Sequence, residues 1–128
     1  MASGGIEQDF PASGESLTPG EAITLRWTVK DSAGASVSSF SGWTVKLFIT
    51  NTRGAANGLT ELEAGSLLEI SESDTLTKSV PTVSAGFTVA NWATLSSEMK
   101  ARVYYYELWR TDSTNETRLA FGKITAID

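Results

Sequence analysis

Residues 23–30, ITLRWTVK, alternate without a break: Ile23, Leu25, Trp27 and Val29 are apolar, whereas Thr24, Arg26, Thr28 and Lys30 are polar. A period of two is the repeat of a strand with one face on a core. It constrains the chain strongly, because a half-buried strand needs partner strands beside it and a second layer over its apolar face. The alternation returns in WTVKLFIT, where Trp43, Val45, Leu47 and Ile49 form one face and Thr44, Lys46, Phe48 and Thr50 the other. Phe48 is out of place on that polar face. It returns again in VYYYELW, with Tyr104, Tyr106 and Leu108 on one face and Val103, Tyr105, Glu107 and Trp109 on the other.

Between these strands the sequence supplies turns. In DSAG, Asp31 can bond its own backbone and Gly34 admits a positive φ. NTRGAANG (51–58) reads as a loop, and residues 59–76 are acidic and weakly patterned, with a short strand at Ser66–Ile70. A further strand is expected at Gly86–Ala90, with Phe87 and Val89 inward, and Pro81 belongs at an edge or in a loop. Trp92, Leu95 and Met99 fall at i, i+3 and i+7 behind Asn91, an N-cap residue type, so a short helix is expected there. The last two strands, ARVYYYELWRT and TRLAFGKITAI, flank the polar DSTNE and form a hairpin. Gly122 is expected to bulge, bringing Ile124 into phase with Leu119 and Phe121.

The sum is an all-β fold: an antiparallel immunoglobulin-like β-sandwich with one short helix, occupying 20–128. Residues 1–19, rich in Gly, Ser and acidic groups, read as an extended N-terminal arm with Ile6 and Phe10 as its apolar anchors. A length of 128 residues fits one domain. The first ten residues lack a basic stretch followed by an apolar one, so synthesis and folding in a cytoplasm are expected.

Composition narrows the chemistry. A net charge of −5 with ten scattered basic residues argues against nucleic acid. No apolar run approaches the roughly 18 residues of a bilayer span, so no membrane partner is expected. With neither cysteine nor histidine, disulfides, thiol nucleophiles, Ser-His-Asp triads and His- or Cys-ligated zinc are excluded. Carboxylates remain the only acid–base groups, densest at Glu69, Glu72 and Asp74, where they read as a solvated acidic edge. No phosphate-cradling motif occurs, and no enzyme activity, metal or cofactor is expected.

Aromatic residues are then the candidates for binding. An ionised carboxylate is rarely buried unpaired, so the Glu107 face of VYYYELW is expected to point outward. That leaves Tyr104, Tyr106 and Leu108 for the core and sets Tyr105 and Trp109 outside beside Glu107. Exposed Tyr and Trp are frequent binding anchors. The expected protein interface is therefore Ile6, Phe10, Phe48, Tyr105, Glu107 and Trp109. A carbohydrate-binding module would use Phe48, Tyr105 and Trp109 as stacking platforms and is the competing reading.

Five pieces of the chain carry a resemblance: G-x-x-x-x-L-x-W-x-V from Gly20 to Val29, D-x-x-G from Asp31 to Gly34, G-x-x-V-x-L-x-I from Gly42 to Ile49, Y-x-x-E-L-W-R-T-D from Tyr104 to Asp112, and L-A-x-G-x-I-T from Leu119 to Thr125. Over about 20–128 the chain resembles a β-sandwich domain of tailed-bacteriophage structural proteins, the N-terminal domain of baseplate upper proteins and small capsid decoration (cement) proteins. The resemblance implies a non-enzymatic virion protein. In that family the domain opens a longer chain, whereas here it fills nearly all of it, so a small accessory piece is expected. That piece would be a decoration protein held on the shell by its arm and aromatic sheet face, or else a tail, neck or baseplate component. Its partners would be the major capsid protein or other virion proteins, and by analogy it would form a homo-oligomer, a trimer.

Overall fold

The structure, a computed structural model, describes residues 6–10, 22–31, 33–50, 59–91, 94, 103–112 and 116–125. Its elements are β1 (Ile6–Glu7), β2 (Ile23–Thr28), β3 (Val45–Thr50), α1 (Leu59–Gly65), β4 (Leu68–Ser71), β5 (Leu76–Ser79), β6 (Thr82–Phe87), β7 (Val103–Arg110) and β8 (Thr117–Thr125). They form a five-stranded sheet in the order β1-β8-β7-β3-β4 and a three-stranded sheet in the order β2-β6-β5. Every pairing is antiparallel except that of β1 with β8. The fold is an all-β sandwich of these two sheets.

The alternating residues define the core. Leu25, Trp27 and Val29 face Val45, Leu47 and Ile49 and the inward residues of β7, Tyr104, Tyr106 and Leu108, in one buried cluster. Each such side chain contributes roughly 1.5–3 kcal/mol by leaving water. Two of them also carry a polar atom inward. Trp27 Nε1 donates to Tyr106 Oη at 2.9 Å, and Tyr106 Oη donates in turn to the carbonyl of Gln8. Both side chains are about 1% exposed, so this relay satisfies groups that would be costly to bury alone.

The turn after β2 forms as its residues require. Asp31 Oδ1 accepts from the backbone N–H groups of Ala33 (2.9 Å) and Ala35 (3.0 Å), and Gly34 lies at φ 87°. The bulge in the last hairpin lies earlier than expected. Leu108 pairs with Ala120 but Trp109 with Arg118, so the extra residue is Leu119, and Leu119 and Ile124 both reach the core. Gly122 serves a different purpose: a Cβ there would collide with the backbone carbonyl of Gln8, so glycine is what lets β1 lie close against β8.

Other expectations are corrected. The strand near residue 86 is β6, which ends at Phe87, and Val89 is 60% exposed in a helical turn. The cap of that turn is Thr88: its N–H donates to Asn91 Oδ1 at 2.8 Å, while Asn91 N–H donates back to Thr88 Oγ1 at 3.2 Å. This reciprocal pair is a capping box with Asn91 inside the first turn. Trp92, Leu95 and Met99, the loop 51–58, residues 113–115 of the hairpin turn, and residues 1–5 and 11–19 of the arm lie outside the described residues. The helix α1 was not expected from the acidic segment that forms it.

Candidate functional site

The outward residues of the five-stranded sheet fall into rows set by strand register. One row is Glu69–Phe48–Glu107–Phe121–Glu7, and the next is Ser71–Lys46–Trp109–Arg118. A third is Thr50–Tyr105–Lys123. The face assignment read from VYYYELW therefore holds: Tyr104, Tyr106 and Leu108 point into the sandwich, and Tyr105, Glu107 and Trp109 point away from it.

Pointing away from the sandwich does not expose all of them. Phe48 is 0% exposed, Trp109 5% and Glu107 4%, against the open face expected for these three. The cause is α1. Leu59 and Leu62, three residues apart and so on one side of the helix, close over Phe48 and Trp109 in a second hydrophobic cluster. Phe48 and Trp109 are thus the floor of a small third layer and offer no ring face to a sugar. The sequence signal for that layer is the Leu59–Leu62 spacing together with an aromatic residue on the polar side of β3.

Glu107 is tolerated in this layer because it is partnered. Its Oε1 accepts from Trp109 Nε1 at 3.1 Å and lies 3.6 Å from Arg118 Nη1. The Arg118 guanidinium in turn lies 4.1 Å from the Phe121 ring centroid, a cation–π distance. The register sets Phe48 between Glu107 and Glu69, the carboxylate on the neighbouring edge strand, and Glu69 is held at 3.2 Å by Lys46. The two carboxylates each answer a cation of their own.

Away from the Phe48–Trp109 cluster the same face is partly open. Tyr105, Phe121, Arg118 and Lys123 are half-buried. Tyr105 and Phe121, diagonal neighbours across β7 and β8, line a shallow cleft with Thr50, Glu107 and Arg118. Phe121 was not among the residues expected here. Parity had set it on one face with Leu119, and the bulge at Leu119 puts the two on opposite faces, Leu119 inward and Phe121 outward.

The other expected anchors are used within the chain. Phe10 lies edge-on to Trp27 at 5.5 Å and 5.8 Å from Tyr106, and it bridges to Ile124. It is a half-buried core residue here rather than a free anchor. Ile6 pairs with Ala120 through its backbone, and its side chain lies outside the described residues.

Arg110 and Asp112, at the end of β7 and just beyond it, are also occupied in holding the fold. Arg110 Nε binds Asp112 at 2.9 Å and stacks 4.5 Å from the Trp43 ring, while Asp112 Oδ1 accepts from the Thr44 N–H at 3.1 Å. The Arg110 hydrogen bond holds the Asp112 carboxyl down at about 2. Comparison with protein-family models, with curated proteins and with solved structures returns no match.

Proposed function

We propose that the chain is a non-enzymatic structural protein of a tailed-phage virion, a capsid decoration protein, that binds a neighbouring virion protein through the open half of its outer sheet face. The observation that carries this reading is the pair Tyr105 and Phe121, two half-buried rings that line a shallow cleft with the Glu107–Arg118 ion pair. Rigid aromatic residues beside a desolvated charge pair are what an interface centre is built from.

The strand order supports reading the sandwich as immunoglobulin-like, with β2, β6 and β5 in the place of strands B, E and D, and β8, β7, β3 and β4 in the place of G, F, C and C′. The stretch 1–19 then serves as the arm, part of it seated on β8.

Co-sedimentation with empty capsids and with isolated tails of the encoding phage tests the reading. Binding to capsids is expected, with at least a tenfold loss for Tyr105→Ala/Phe121→Ala. Binding to tails alone would move the role to the tail, and binding to neither would end the virion reading. Capsid binding undiminished in the double variant would show that this face is the wrong one.

A further inference from the structure

We propose that the seat of β1 on β8 is an exchange site, able to take residues 6–10 of a second copy of this chain. The seat is extensive for so short a segment. Gln8 N–H donates to the Phe121 carbonyl (2.9 Å), Phe10 N–H to the Lys123 carbonyl (2.8 Å) and Thr125 N–H to the Phe10 carbonyl (2.8 Å). Asp9 Oδ1 accepts from the Lys123 N–H (3.0 Å), and Gln8 Nε2 donates to the Arg26 carbonyl in the opposite sheet (2.9 Å). Phe10 fills the aromatic corner of Trp27 and Tyr106, and Gly122 leaves the space through which the Gln8 carbonyl reaches the Tyr106 hydroxyl.

Each of these contacts is made with β2, β7 or β8, and 12 residues, 11–22, join the segment to β2 in the sequence. The same contacts therefore form whether the segment comes from its own chain or from another, which is the condition for low-cost strand exchange. What separates the two is concentration. A tether of this length reaches at most about 40 Å and supplies its own segment at an effective concentration on the order of 1 mM. In dilute solution the chain's own segment wins. Where copies stand side by side at comparable local concentration, the neighbour's segment competes on equal terms and links them. Exchange also keeps the β8 edge paired throughout, so no open edge is exposed to wrong partners.

The chain has no cysteine, so an introduced pair reports without background. Glu7 and Phe121 are register partners. Glu7→Cys in one copy and Phe121→Cys in another can join only between chains. Mixed at about 1 mM under mild oxidant, they are expected to give at least tenfold more covalent heterodimer than Glu7→Cys mixed with Thr77→Cys on the opposite sheet, with the excess lost at about 10 µM. The double variant Glu7→Cys/Phe121→Cys is expected to close within one chain at the lower concentration. A register pair that cross-links no better than the Thr77→Cys control at 1 mM overturns the proposal, as does a double variant that forms no intrachain disulfide. No virion enters the test, so its outcome is independent of the function proposed above.

Discussion

The two outer faces of the sandwich are made from the same alternation and end in opposite environments. On the three-stranded sheet the outward positions are Thr24, Arg26 and Thr28 of β2, Thr82, Ser84 and Gly86 of β6, and Thr77 and Ser79 of β5. All are small or polar, and all are exposed or half-exposed. On the five-stranded sheet the outward positions include Phe48 and Trp109, and there a helix lies on top. Strand period alone says which side of a sheet a residue is on. The size of what stands there says whether another layer follows.

Four variants break or sharpen that contrast. Trp109→Ala has the largest expected effect, a loss of about 3–5 kcal/mol in urea unfolding, since it hollows the layer under α1. A loss below about 1 kcal/mol would mean that α1 rests on the sheet without packing. Arg118→Met comes next: stranding the Glu107 carboxylate under cover is expected to cost on the order of 3 kcal/mol. Glu107→Gln/Arg118→Met should recover most of that, because the pair then has no charge left to satisfy. A double variant no more stable than Arg118→Met would place the cost elsewhere. On the opposite face Thr77→Ala is expected to stay within about 0.5 kcal/mol of the parent, and a larger loss there would mean that this face, too, is covered.

Much of the sandwich was legible because its signals are local. Alternation in 23–30, 43–50 and 103–109 gives β2, β3 and β7 with the correct inward faces, and Asp31 with Gly34 gives the first turn. What was not legible depends on contacts between distant segments. The burial of Phe48 and Trp109 involves a helix beginning at Leu59, and seven residues with two leucines among acids carry little periodicity. The fate of Phe10 is decided by Trp27 and Tyr106, which lie in different sheets. The position of the bulge depends on pairing across β7 and β8, and the single residue it inserts separates Leu119 and Phe121, which parity had set on one face. Glu107 shows the limit of a charge rule: the carboxylate is buried because Arg118, a residue on another strand, answers it.

The relay from Trp27 through Tyr106 to Gln8 has an optical consequence. Indole emission depends on what its N–H donates to and on how dry its surroundings are. Unseating residues 6–10 would remove the Phe10 ring from the Trp27 face and release the Tyr106 hydroxyl from the Gln8 carbonyl in one step. The chain thus carries a native fluorophore at the point where its N-terminal strand docks, and attachment of that strand, whether by its own copy or a neighbour, is written into the colour of Trp27.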